Sequence, residues 1–406
     1  MCSVGDDNLE EKTSKYMEPV PKFKLDDNKC NKCRASTPCI VLRGKDAYCQ
    51  ACFLSGTTHK FKAFLGKHRF VYPNDKVLVY HTEGHPSTSL LHFLRSGLDL
   101  STPKKLRFEP IVIYIEDKID LSSEERSDAA EFIRKQVEEY KFPLHYISLC
   151  DCVKKNNKVA ECLVDDISKL SIGDNDKENL NQVLNSKANT TNKRDILKIY
   201  KKTILIEAAK HLGCKVVFTP ELGIDIASQL LTNVSLGRGI HLALDVGICD
   251  NRDEDVKIVR PLRHFEIKEL AMYNHFNRLE VVAKKEKLEN IYSSVQSLMK
   301  NFVGGLQNNF PATITTIVRT GDKLAMEKSL EDNPRCVLCR GPQENRNEEL
   351  TSAESTSFSH WVSTRSPQYS MTPVERYEKS LESFSVAGDS PYCFACERLS
   401  HDLVVS

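Results

Sequence analysis

Eight cysteines in four CxxC pairs have the spacing in this chain that most directly implies chemistry. Cys30 and Cys33 (CNKC) are followed, fifteen residues on, by Cys49 and Cys52 (CQAC). Two such knuckles place four thiolates tetrahedrally around one Zn²⁺. A closed four-thiolate site leaves no position for substrate, so its role is folding or docking. The bland alternative is four reduced thiols in a small core, and spacing this regular argues against it. Cys39, between the pairs, reads as a bystander. Cys336 and Cys339 (CVLC) and Cys393 and Cys396 (CFAC) form a second set across fifty-three residues rich in Ser, Thr and Glu. Loop closure costs only roughly 0.6 kcal/mol per doubling of length, so the gap is tolerable.

The other chemical stretch is Lys76 to Leu94, KVLVYHTEGHPSTSLLHFL. Val77 to Tyr80 reads as a buried strand, Thr82 to Pro86 as a tight turn, and Ser87 onward as a helix with Pro86 in its first turn. A strand–turn–helix of this kind aims backbone N–H groups and a helix N-terminus at a phosphate. Here the turn keeps one glycine, Gly84, where a good phosphate loop has two or more.

Further positively charged residues invite a nucleic-acid reading. Lys193, Arg194, Lys198, Lys201 and Lys202 cluster in the first half of a helix that Thr191 or Asn192 caps and Gly213 ends. A solvated charged face is the commoner meaning of such a run. Arg238, between Gly237 and Gly239, reads as an exposed, mobile base, or simply as part of a helix-ending turn. Arg260 and Arg263 flank a helix with Lys268. His59 to Arg69 alternates bases with aromatics, and an ordinary amphipathic helix is the slightly favoured reading. Cys150, Cys152 and Cys162 lack the spacing of a ligand set.

These groups need a scaffold, and the pattern supplies an α/β one. Strands are expected at Leu106–Ile115, Phe142–Leu149 and Cys214–Thr219, alternating with helices. The helix beginning at Ser122 or Ser123 carries glutamates in its first turn. Alternation of this kind implies a parallel sheet with right-handed crossovers and helices on both faces. Phe310–Arg319 fits either a strand or a helix. The organisation expected is a disordered tail over 1–25, a zinc knuckle over 26–70, an α/β body over 71–325 with a polar excursion at 151–192, and a second knuckle over 326–406. Trp361, the sole tryptophan, lies in that last insertion.

Of 406 residues 28% are charged and 40% apolar, with a net charge of +1, so any RNA contact has to come from a local basic face. No apolar run reaches the length of a membrane span. The acidic, polar start MCSVGDDNLEEKTSKY is unlike a signal or transit peptide. A cytoplasmic location is expected, where CxxC pairs favour metal over disulfide.

In order, CNKC…CQAC, VLVYHTEGHPSTSLLHFL, LRFEPIVIYIED, HLGC, LLTNVSLGRG, VRPLRHFEIKELAMYN, FPATITTIVRT and CVLC…CFAC resemble the cytoplasmic tRNA 2-thiolation protein 2 family over about residues 30–400. That family is similar to the PP-loop ATPases (adenine nucleotide alpha-hydrolase-like) that thiolate tRNA. In active PP-loop enzymes the turn reads SGGKDS. Here Thr82 stands for the first Ser, Glu83 for a Gly, His85 for the Lys and Pro86 for the Asp, while Gly84 and Ser87 are kept. The second ligand turn of active thiolases, GHNADD, resembles Pro220–Asp225 (PELGID), in which only Asp225 remains. Where active relatives carry a CxxC before two arginines, RDILKIYKK has no cysteine.

The resemblance implies a non-catalytic subunit paired with the catalytic tRNA thiolase. That complex 2-thiolates the wobble uridine of tRNAs for Lys, Glu and Gln, with sulfur from a thiocarboxylated ubiquitin-related modifier. Zinc at two structural sites is implied, and ATP is not expected on this subunit's own loop. Two readings compete. One is an active adenylating sulfurtransferase with His85 as phosphate ligand and Cys214 or Cys249 as sulfur carrier. The other is a zinc scaffold with no RNA role.

Overall fold

The computed structural model describes residues 29–43, 46–103, 105–118, 120–155, 158–173, 189–281, 290–310, 312–324, 333–343 and 391–400, with isolated residues within 174–180 and 356–359. They fall into two units, one within residues 1–325 and one within 326–401. The expected tail at 1–25, most of the C-terminal insertion and Trp361 lie outside the described residues.

The first unit opens with the antiparallel hairpin β1 (Ile40–Leu42) and β2 (Asp46–Tyr48), then α1 (Gln50–His68). Phe53, Thr57, Phe61 and Phe64 lie three or four residues apart on α1 and are buried. Phe61 stacks on Phe93 at 4.9 Å between centroids. The aromatics of the basic–aromatic stretch thus serve the core, as an amphipathic helix requires.

The α/β body follows as β3 (Lys76–His81), α2 (His85–Leu98), β4 (Glu109–Glu116), α3 (Ser123–Glu139), β5 (Leu144–Ser148) and α4 (Leu149–Lys154). Ser122 caps α3 with a reciprocal capping box to Glu125. Next come α5 (Thr190–His211), β6 (Val216–Phe218), α6 (Gly223–Ser235), α7 (Leu242–Val246), β7 (Cys249–Asp250), β8 (Lys257–Val259) and α8 (Ile267–Phe276). Asn189 caps α5, two or three residues earlier than the Thr191 or Asn192 expected from sequence, and its side chain accepts from Asn192 N–H at 2.8 Å. The unit closes with α9 (Val295–Asn309) and α10 (Ala312–Gly321). FPATITTIVR, ambiguous by periodicity, supplies α10.

The strands form one six-stranded sheet in the order β5-β4-β3-β6-β8-β7, parallel except for the antiparallel edge pair β7–β8. Leu90, Leu91, Phe93 and Leu94 of α2 are fully buried against it. The described part of the polar excursion guards one edge. Val164 exchanges backbone hydrogen bonds with Tyr146 of β5 at 2.8 and 3.0 Å, which occupies groups that would otherwise invite another strand. In this sheet order the chain departs in opposite directions from the neighbours β3 and β6. That is a topological switch point, the place where open α/β sheets hold ligands at their strand carboxyl ends.

The second unit holds the CVLC knuckle and α11 (Phe394–Ser400). Val337 N–H donates to Pro391 O at 3.0 Å and so ties the knuckle to the chain entering α11.

Candidate functional site: a filled cleft and two cysteine clusters

The turn after β3 folds back on itself. Thr82 N–H donates to Ser87 Oγ at 2.9 Å, and the two hydroxyls lie 2.9 Å apart. Gly84 sits at φ +100°, a conformation that glycine adopts without strain. Glu83 turns inward, is buried, and forms an ion pair with Lys118, just past the end of β4. A carboxylate therefore occupies the loop at the N-terminus of α2, where partial positive charge would otherwise draw a phosphate. The buried amide of Asn274 donates to His85 Nδ1 at 3.3 Å and to His85 O at 3.1 Å. Burial lowers the His85 imidazole below its ordinary value, so at neutral pH it supplies no fixed cation. Pro86 occupies the first turn of α2.

Across the switch point the turn after β6 is also engaged with its own chain. Asp225 accepts the Leu222 N–H at 2.9 Å and so caps α6. Gly223 packs so closely that a Cβ there would lie 2.8 Å from Arg263 O. Glu221 takes a hydrogen bond from Thr219 at 3.0 Å and pairs with Arg260 Nε at 2.8 Å. Burial would raise the Glu221 carboxyl, but Arg260 and Lys198 outweigh it and hold it below the ordinary value.

Six of the basic residues singled out from sequence are engaged inside the fold. Arg194 donates to Ser294 at 2.7 Å and to Ser297 at 2.5 Å. Lys201 pairs with Asp117 at 2.7 Å, and Lys202 with Asp245 and Asp250. Arg238 is buried against Asp195 at 3.0 Å, which corrects the expectation of an exposed, mobile base. The turn that Gly237 permits at φ +73° folds Arg238 inward. Arg260 and Arg263 are both buried, and Arg263 pairs with Asp322. Lys198 is exposed.

Several residues essential to this arrangement escape a reading by motif. Lys118 answers Glu83. Arg126 is fully buried between Glu116 (Nε to Oε1 2.9 Å) and Asp176 (2.8 Å). Arg252 sits with Asp245 and Asp250, and Asn233 donates to Asp245 at 2.9 Å. Their partners lie far away in sequence, so no local spacing signals them. Cys214 and Cys249, the alternative sulfur carriers, are both pushed up to about 11 by burial, which leaves little thiolate at neutral pH.

The eight knuckle cysteines come together as two groups of four, with the sulfurs of each group within 4.8 Å of one another. Both groups have one design. The first pair sits in a tight turn in which the residue after the second cysteine returns its N–H to the first: Arg34 N to Cys30 O and Arg340 N to Cys336 O, each 2.8 Å. Both arginines adopt positive φ, 56° and 59°. The second pair opens a helix, Cys49 as the N-cap of α1 and Cys393 just before α11. Tetrahedral zinc with Zn–S of about 2.3 Å needs sulfurs about 3.8 Å apart. Cys33 and Cys49 are 3.9 Å apart, and Cys339 and Cys393 3.7 Å. Burial would raise the Cys30 thiol, but the N–H groups of Cys33, Cys49 and Lys32 bring it down to about 6. The donor sets therefore fit a thiophilic cation. Lys60 pairs with Glu269 at 2.7 Å, and Lys268 donates to Val41 O at 2.9 Å, so the first cluster is fastened to α8.

The sheet order and its switch point give the chain an adenine nucleotide alpha-hydrolase-like fold. The U34-tRNA thiolase NcsA from Methanococcus maripaludis, solved with its 4Fe–4S cluster, shares this fold with a TM-score of 0.57 at 18% identity, over 78% of this chain and 96% of that one. The sequence model of the family described as Cytoplasmic tRNA 2-thiolation protein 2 matches residues 294–398. Cytoplasmic tRNA 2-thiolation protein 2 of Aedes aegypti is 32% identical over 90% of this chain and 88% of its own length. The 2-A protein of Xenopus laevis is 30% identical over 94% and 84%. The chain belongs to the cytoplasmic tRNA 2-thiolation protein 2 family.

Proposed function

We propose that this chain is the non-catalytic subunit of a cytoplasmic tRNA 2-thiolation complex. In this reading it pairs with a catalytic thiolase that modifies the wobble uridine of tRNAs for Lys, Glu and Gln. Sulfur reaches that partner from a thiocarboxylated ubiquitin-related modifier, as the family resemblance implies. The observation that carries the reading is the buried Glu83–Lys118 pair in the turn after β3. It replaces a phosphate-receiving surface with a neutralised, occupied one. The pairs at Glu221 and Asp117 add to it at the neighbouring strand ends.

In this account both cysteine clusters hold zinc and act as fixed braces. tRNA is gripped by the exposed part of α5, with Lys198 as the first residue to test. Lys202 is a poor test, because Lys202→Glu sets a third carboxylate beside Asp245 and Asp250 and disturbs the fold.

The test is 2-thiolation of tRNA by the purified chain alone, with the catalytic partner, and with a partner whose own loop is disabled. Activity in the second reaction only is expected. Product from the chain alone, or rescue of the disabled partner, would establish the active-enzyme reading instead.

A further inference from the structure

Charge is unevenly placed along this chain. Lys29 to Arg69 hold nine lysines and arginines against one acid, Asp46, a net +8. The whole chain is +1, so the remaining residues sum to −7. Two of the nine fasten this region to α8: Arg43 lies 3.3 Å from Glu266 and Lys60 2.7 Å from Glu269. Among the described residues, Lys29, Lys32, Arg34, Lys62, Lys67 and Arg69 form no ion pair. That is unlike Lys201, Lys202 and Arg238, which acids hold inside the fold. No acid occurs in α1 itself. Its buried face is Phe53, Thr57, Phe61 and Phe64. The opposite face is Ser55, His59, Lys62 and Gly66, three and four residues apart, with Arg69 next in the row. Over its 19 residues α1 is about 28 Å long. Lys32 and Arg34 flank Cys33, whose sulfur is 3.9 Å from that of Cys49 at the start of the helix. Cations at a helix C-terminus offset its dipole, which accounts for Lys67 and Arg69 but not for Lys32 or Lys62. The outward row is also one wall of an open groove of about 480 Å³. There α1 contributes Ser55, His59 and Lys62, α2 contributes His92 and Ser96, and the end of α8 contributes Asn277. None of the groove's lining residues is an acid.

We propose that this groove and the knuckle beside it bind the sugar–phosphate backbone of RNA, which is tRNA on the reading above, on which this assignment rests. A phosphate backbone is met by cations spread along a surface with no acids to neutralise them. Phosphates and ribose hydroxyls also take hydrogen bonds from hydroxyl, amide and imidazole groups, the polar chemistry that lines the groove. Tyr72, 64% exposed and three residues beyond Arg69, offers a ring on which an unpaired base can stack. An anionic membrane surface calls for large apolar side chains inserted among the cations. An acidic protein calls for an apolar centre within the charged rim. The outward row of α1 carries no large apolar group, and Leu54 and Leu100 in the groove are half-buried. This surface is separate from α5, where Lys198 stands.

The test measures binding of the full chain to a tRNA transcript by fluorescence anisotropy across a range of salt concentrations. Each phosphate contact contributes about 0.7–0.9 to the slope of log K against log salt. Lys32→Gln and Lys62→Gln combined in one chain are expected to weaken Kd and to shrink that slope by about 1.5. Zinc content, melting temperature and binding of the catalytic partner should stay as in the wild type. An unchanged slope in this variant would overturn the groove, and a fall with Lys198→Gln alone would then keep tRNA on α5. Loss of partner binding, or of binding to phosphatidylserine vesicles, with tRNA binding intact would also overturn it by naming a different occupant. A wild-type chain that does not bind tRNA would remove the tRNA reading and this groove with it.

Discussion

Glu83 changes the character of a whole cleft with one side chain. Its neighbour Gly84 still makes the bend, and Ser87 still closes the turn. Beside them a buried carboxylate and its lysine occupy the loop that begins α2. The same device recurs at single-residue scale elsewhere. Arg126 holds Glu116 and Asp176 in the interior. Removing one member of such a group strands the others, so Arg126→Met is expected to cost about 3–5 kcal/mol in urea unfolding. Lys135, paired with Glu131 on an exposed surface, should cost well under about 1 kcal/mol on removal. Equal losses from the two would contradict this assignment.

Asp250 gives the corresponding pH dependence. Burial would raise its carboxyl, but Lys202, Arg252 and Arg260 bring it down to about 2, against about 3.9 in an unfolded chain. A depressed carboxyl contributes stability that is complete above the unfolded value and is lost as pH falls through the folded one. The stability gap between wild type and Asp250→Asn should therefore hold from neutrality to about pH 4 and close between about pH 4 and 2. Thermal melts across that range check it; a constant gap down to pH 2 would be inconsistent.

At the scale of elements, the two cysteine clusters are one motif used twice, a knuckle turn facing a helix start. Each should bind metal on its own. Cys33→Ser and Cys339→Ser are each expected to lose one zinc equivalent of two, measured by atomic emission on the purified protein. Loss of both ions from either variant would mean that the clusters are not independent.

The elements were legible in proportion to how local their causes are. CxxC spacing announced both clusters, and the run Val77–Tyr80 announced β3. The stripe of Leu90, Leu91, Phe93 and Leu94 marked α2. β7 and β8 went unread, since two or three residues carry no usable periodicity. The fate of the basic residues was hidden for a different reason. Lys201, Lys202, Arg238 and Arg260 look like a nucleic-acid surface in one dimension. Their acids come from other elements, and only the folded chain brings them together.

For the whole molecule, the strand order sets the turns after β3 and β6 side by side at the switch point. Charges meeting there are satisfied within the chain, in keeping with its near-neutral total of +1. The first cysteine cluster is fixed to this body through α1 and α8. On the proposed reading the chain is a scaffold with a thiolase-like fold whose nucleotide cleft is filled by its own side chains.

The most direct test of that closure is equilibrium binding of ATP with Mg²⁺ to the purified chain. No saturable binding is expected up to about 1 mM, the weak end of specific affinity. Saturable, stoichiometric uptake well below that concentration would show the cleft to be open to nucleotide and would contradict the account.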